Sequence, residues 1–144
     1  METTNKIKVF IVDDDKLYSS LIRHRVTSQN IKDVTIFEDG ESCISNLYQQ
    51  PDIIFLDFEL GDMIAPHVME NLKILCPFAK IIIISGQSNT QNLTECFRLG
   101  AYDYIQKNVH TLGKVEIILS ELLESFKPKK KPENVMQKIF GWIF

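Results

Sequence analysis

Short, continuously apolar runs alternate along this chain with longer stretches whose apolar residues recur every three to four positions. The first pattern belongs to strands buried on both faces, the second to helices with one buried face. Strands are predicted at 8–12, 34–37, 53–57, 80–85 and 102–106, and helices at 16–28, 40–48, 66–75, 90–99 and 112–126. Leu17, Leu21, Ile22 and Val26 form the expected buried face of the first helix. Val115, Ile118, Leu119, Leu122, Leu123 and Phe126 form that of the last. Pro51 ends the second helix, Pro66 suits the first turn of the third, and Gly100 suits the C-terminal cap of the fourth.

Five strand–helix units joined by right-handed crossovers give an α/β fold with a doubly wound parallel sheet. The runs at 9–12 and 53–56 are apolar throughout, so both strands are placed centrally, and the predicted strand order is the flavodoxin-like 2-1-3-4-5. Such sheets bind ligands at the carboxyl ends of their strands, beside the point where the strand order reverses. Chemistry-bearing residues collect at those ends: Asp13 and Asp14 after strand one, Asp57 closing strand three, Ser85 after the four isoleucines of strand four, and Lys107 after strand five.

Three crowded carboxylates repel one another and raise one another's pKa values, and a hard divalent cation relieves the crowding. Mg²⁺ takes a few carboxylate oxygens and keeps several waters. Asp14 and Asp57 suit direct ligation, Asp13 acts through a bound water, and the backbone carbonyl of Glu59 completes the shell. A carboxylate can accept a phosphoryl group, and such transfer needs positioning and charge neutralisation more than covalent help. Asp57 is then the nucleophile, Lys107 and the Ser85 hydroxyl receive phosphoryl oxygens, and Gly86 leaves room for entry. Plainer roles exist for each residue. Asp13-Asp14-Asp15 reads equally as an N-cap run before the first helix, and Asp57 and Ser85 as loop residues bonding backbone. The joint placement at four strand ends favours a single site.

Composition changes this picture little. Hydrophobic content of 44%, charged content of 24% and 144 residues suit one domain with a real core. The net charge of −3 gives no nucleic-acid signature, but it is uneven: from residue 127 onward five lysines face one glutamate, leaving −7 on the remainder. Cys43, Cys76 and Cys96 lack metal-ligand spacing and read as small buried hydrophobes of a reducing compartment. His24, His67 and His110 read as surface residues. The start of the chain is polar, no run approaches the roughly 20 apolar residues of a membrane span, and the cytoplasm is the expected location. After Phe126 the run Lys127-Pro128-Lys129-Lys130-Lys131-Pro132 reads as a solvated linker. Val135, Met136, Ile139, Phe140 and Ile143 then fall on one helical stripe, suited to a membrane surface, a partner groove or the chain's own domain.

Together, Val9-Phe10-Ile11-Val12-Asp13-Asp14-Asp15, Asp57, Ser85-Gly86 and Gly100-Ala101-Tyr102-Asp103-Tyr104-Ile105-Gln106-Lys107 closely resemble the receiver domain of two-component response regulators, over residues 6–126. The resemblance implies that Asp57 is the phospho-acceptor, that Asp13 and Asp14 bind Mg²⁺, that Ser85 and Tyr104 are the switch pair, and that Lys107 is the family's lysine. It implies a histidine kinase or phosphotransfer protein as donor, and signalling through the face of helix four, strand five and helix five, which also serves monomer–weak-dimer exchange. Beyond its own phosphotransfer and slow dephosphorylation, tuned by Glu59 and Gln87, no enzyme activity is expected. With 127–144 as linker and tail and no output domain expected, the chain reads as a single-domain regulator that does not bind DNA. Two positions depart from the family: Asn108 stands where proline usually follows the lysine, pointing to a less rigid Lys107, and Gly61 replaces a loop proline, pointing to a more mobile loop. These departures support a rival reading, a phosphorylation-independent interaction scaffold. A third, a phosphatase, draws only on the spacing of Asp13 and Asp15.

Overall fold

The computed structural model describes residues 6–86 and 89–127. Five strands, β1 (Lys8–Val12), β2 (Asp33–Phe37), β3 (Ile53–Asp57), β4 (Lys80–Ser85) and β5 (Asp103–Gln106), pair in parallel in the order β2-β1-β3-β4-β5. They alternate with α1 (Lys16–Thr27), α2 (Gly40–Ser45), α3 (Ala65–Leu75), α4 (Thr90–Arg98) and α5 (Thr111–Phe126). The expected doubly wound, flavodoxin-like topology is the observed one. The predicted second helix is interrupted: α2 stops at Ser45, and a short 3-10 turn, Leu47–Gln49, follows the capping residue Asn46. The amphipathic stripe and most of the basic linker expected in the tail, and Gln87, lie outside the described residues.

Alternation along the interior strands builds two cores. Phe10, Val12, Ile54, Leu56, Ile81 and Ile83 face α2, α3 and α4. Val9, Ile11, Ile53, Phe55, Ile82 and Ile84 face α1 and α5. Every residue of β3 is buried, as a central strand covered on both faces requires. The edge strands β2 and β5 are only partly covered. Cys43, Cys76 and Cys96 are free thiols inside the protein. Burial pushes the thiols of Cys43 and Cys96 up to about 12 and about 11.

The predicted face of α1 needs correction. Ser19, Ile22 and Val26 are the residues that turn inward. Leu17 and Leu21 are 71% and 40% exposed. At 3.6 residues per turn, positions 17 and 21 lie nearly half a turn from the centre of the buried stripe. The two leucines share a face with each other, but not with Ile22 and Val26. Along α5 the pattern behaves as expected, with Val115, Ile118, Leu119 and Leu122 buried and Leu123 and Phe126 packed at the margin.

Candidate functional site

Parallel register brings the strand ends together. Val12 is level with Leu56, Asp57 with Ile84, and Ser85 with Gln106. Asp13 and Asp14 leave β1, Lys107 leaves β5, and all five residues reach the same edge of the sheet. The Asp13 N–H donates to the Phe37 carbonyl at 3.0 Å, and the Lys107 N–H to the Ser85 carbonyl at 2.8 Å, so strand-like bonding continues one residue past each strand.

Asp13 is 2% and Asp57 8% exposed. Asp13 Oδ2 accepts from Lys107 Nζ at 3.0 Å, and Asp57 Oδ1 lies 3.5 Å from the same nitrogen. One carboxylate oxygen from each of Asp13, Asp14 and Asp57 lies within 4.8 Å of the others. A cleft of about 470 Å³ opens above them, lined by Asp14, Asp57, Glu59, Gly61, Ser85, Gly86 and Lys107. Sequence-selected side chains from four different strand ends therefore meet at one cleft, with Asp13 buried beside it and paired with Lys107.

Burial, then the neighbouring Asp13 charge, push the Asp57 carboxyl up to about 7, against the opposing pull of Lys107. Burial alone disfavours the charged form of Lys107, but its hydrogen bond to Asp13 and the charge of Asp57 outweigh it, and the ammonium is held above its usual range. Such displaced groups in a cleft accompany functional sites, and structural ion pairs produce them too. The donor set of the cluster adds a second observation. Asp13, Asp14 and Asp57 offer three hard oxygen donors within reach of one another, and the group includes no histidine or cysteine among the described residues.

The aspartate run is divided by role. Asp15 is exposed, and its Oδ1 accepts from the Tyr18 N–H at 3.0 Å, capping α1. Asp13 accepts from the Asp15 N–H at 2.9 Å and points inward. The N-cap interpretation thus applies to Asp15 alone, and the spacing of Asp13 and Asp15 does not place both carboxylates in the cleft. Tyr104 is half-buried, and its hydroxyl is hydrogen-bonded with that of Ser85. Burial raises the phenol's pKa and the hydrogen bond opposes the rise.

Both departures from the family pattern have local structural counterparts. The Asn108 N–H, which a proline would lack, donates to Thr111 Oγ1 at 2.7 Å, and Asn108 Oδ1 accepts from the His110 N–H at 2.8 Å. The turn after Lys107 is therefore tied by hydrogen bonds where a looser one was expected. Gly61 has a φ of +81°, closed to the proline ring, whose φ is near −65°. The next residue anchors this loop: the Asp62 carboxylate accepts from the Gly40 and Glu41 N–H groups, both at 3.0 Å. Those two bonds hold the Asp62 carboxyl below the usual carboxylate range. Sequence reasoning missed Tyr18, Thr111 and Asp62. Tyr18 alone had a readable signal, an aromatic three residues after a helix cap, in the first turn beside the strand ends.

With the geometry in place, the comparisons give it a family. The model for the response regulator receiver domain matches residues 9–118, and the chain belongs to that family. Among curated proteins it is similar to the DNA-binding transcriptional regulator NtrC of Proteus hauseri, 25% identical over 142 residues, covering 96% of this chain and 30% of that protein. It is also similar to a protein-glutamate methylesterase/protein-glutamine glutaminase of Clostridium acetobutylicum, 34% identical over 106 residues, covering 71% and 31%. The chain spans about a third of the length of these relatives. Among solved structures, a CheY-like receiver domain protein from Methanospirillum hungatei matches with a TM-score of 0.76 at 21% identity, over 83% of this chain and 95% of that one. The BeF3-activated DrrB receiver domain matches with 0.74 at 23% identity, over 82% and 97%.

Proposed function

We propose that this protein is a phospho-accepting response regulator whose receiver unit spans residues 6–126, with Asp57 as the acceptor. The observation that carries the reading is the convergence of Asp13, Asp14, Asp57 and Lys107 on one cleft, with Asp57 and Lys107 lining it. In the transfer, a carboxylate oxygen of Asp57 forms a bond to phosphorus as the bond between phosphorus and a donor histidine nitrogen breaks. The histidine leaves with the electron pair, and Asp57 becomes an acyl phosphate. Lys107, already 3.5 Å from Asp57, neutralises one phosphoryl oxygen. The Ser85 hydroxyl receives another. Its bond with Tyr104 links that event to β5, and so to the surface of α4, β5 and α5, where we place the output and any weak self-association.

The donor set fits Mg²⁺, with Asp14 and Asp57 as direct ligands, Asp13 through a water and the Glu59 carbonyl completing the shell. When bound, the cation neutralises charge on the transferred group. The expected donor is a histidine kinase or a phosphotransfer protein, and the expected setting is the cytoplasm; among the described residues no helix is long and apolar enough to cross a membrane. On this reading the protein catalyses only its own phosphorylation and slow dephosphorylation.

Incubation with a small-molecule phosphodonor and Mg²⁺ tests the proposal by intact mass. The wild type gains one phosphoryl group and Asp57→Asn gains none. Equal labelling of the two proteins, or no labelling of either, refutes it. The scaffold reading predicts instead a partner affinity indifferent to beryllofluoride; the two substitutions that motivated it now have local accommodations in the turn at Asn108 and the loop at Gly61.

A further inference from the structure

The Lys107 ammonium rests against an aromatic face. Its Nζ lies 4.6 Å from the centroid of the Tyr18 ring, as well as 3.0 Å from Asp13 and 3.5 Å from Asp57. Tyr18 comes from the first turn of α1, where its N–H donates to the capping carboxylate of Asp15. The backbone on either side of Lys107 is held separately. The buried Thr111 hydroxyl accepts the Asn108 N–H at 2.7 Å and lies 2.9 Å from the carbonyls of both Gln106 and Asn108. One hydroxyl thus spans the two residues flanking the lysine.

We propose that Tyr18 and Thr111 are positioning residues for Lys107. Thr111 fixes where the lysine backbone enters the site, and the Tyr18 ring fixes where its ammonium comes to rest. A lysine is a compact charge on a long flexible stem, so its place must be imposed from outside. Carboxylates alone do this poorly at a site where one of them changes during the reaction. Phosphorylation turns the Asp57 carboxylate into an acyl group and moves the negative charge outward onto the phosphoryl oxygens. The ring face attracts the cation through its quadrupole and accepts none of its three N–H groups in a conventional hydrogen bond. The donors remain available to Asp13, to Asp57 and to an incoming phosphoryl oxygen, while the ring keeps the stem from swinging into solvent. The catalytic part of this role rests on the reading of Asp57 as phospho-acceptor; the placement of the lysine does not.

Two measurements on the full chain separate these levels. In NMR spectra of the unphosphorylated protein, the Lys107 ε-protons shift upfield through the ring current of Tyr18. Tyr18→Leu returns them to the position of a solvent-exposed lysine and Tyr18→Phe keeps them shifted. An unchanged resonance in Tyr18→Leu overturns the proposal, whatever Asp57 does. The rate of labelling by a small-molecule phosphodonor with Mg²⁺ gives the second readout. Tyr18→Leu and Thr111→Val lower the saturating rate by about three- to tenfold, with little change in the half-saturating donor concentration. Tyr18→Phe and Thr111→Ser restore it. Wild-type rates in Tyr18→Leu, or a Tyr18→Phe loss as large as that of Tyr18→Leu, overturn the assignment of the ring. Wild-type rates in Thr111→Val overturn that of the hydroxyl. A wild type that takes no label refutes the acceptor reading, and the proton shifts still decide where the lysine sits.

Discussion

Asp57 is a buried carboxylate crowded by a second one. Burial and the Asp13 charge push its carboxyl up to about 7 in the folded chain, against about 3.9 for an unfolded aspartate. A raised acid binds its proton more tightly when folded, so folding is favoured at low pH and loses stability as pH rises from about 4 to about 7. At about 1.4 kcal/mol per unit the loss reaches at most about 4 kcal/mol. Urea titrations without divalent cations at pH 5 and pH 8 will show wild type weaker at pH 8 and Asp57→Asn nearly level across the same window. A wild type that gains stability over that window would contradict the burial and charge crowding described for this carboxyl. Gly61 gives a second prediction at this scale. Its φ of +81° is costly for any residue with a side chain. Gly61→Ala should cost about 1–2 kcal/mol, and Gly61→Pro more, as read by shifts in the denaturation midpoint. The family's proline is therefore excluded from this backbone path, and Asp62 holds the loop by its carboxylate instead.

Elements differ in how plainly the sequence announces them. β1, β3 and β4 have the predicted bounds because continuous apolar runs end in charged or polar residues at both sides. The misjudged face of α1 has a different origin. Leu17 and Leu21 satisfy a four-residue spacing, as do Ile22 and Val26, and spacing alone cannot say which pair faces the sheet. Ser19, small and buried, marks the true face, and a hydropathy pattern discounts it. The distinction is measurable. Ile22→Ala should cost about 2–5 kcal/mol through a cavity between α1 and the sheet, whereas Leu21→Ala should stay within about 0.5 kcal/mol. Equal losses would restore the sequence-based face. The candidate site was legible for a related reason: a parallel sheet brings the ends of β1, β3, β4 and β5 to one edge, so chemistry scattered along the chain could be assembled from the sequence. Tyr18 and Thr111 escaped notice because their roles lie in side-chain geometry, a ring under an ammonium and a hydroxyl across a turn, which periodicity does not encode.

At the scale of the whole molecule, stability and the candidate cation site are linked through mass action. A ligand that binds only the folded state adds about 2.7 kcal/mol at a hundred times its dissociation constant. Raising Mg²⁺ at pH 8 should therefore raise the melting temperature of the wild type, and Asp14→Asn should remove most of the gain without lowering the cation-free melting temperature, because Asp14 is exposed. A gain that survives in Asp14→Asn would assign the cation elsewhere.

β4 has a final consequence. Its interior is four identical residues, Ile81 to Ile84, two for each core. Such a run is blind to its own alignment, since a slide of two places presents the same side chains to the same neighbours. The bookends supply what the run lacks: the Lys80 N–H fastened to the Asp52 carbonyl at 2.9 Å, and a serine whose carbonyl takes the Lys107 N–H at 2.8 Å. Lengthening or shortening that monotonous segment by one isoleucine would keep both cores greasy while carrying Ser85 away from the cleft, a frameshift in space that hydropathy would not notice.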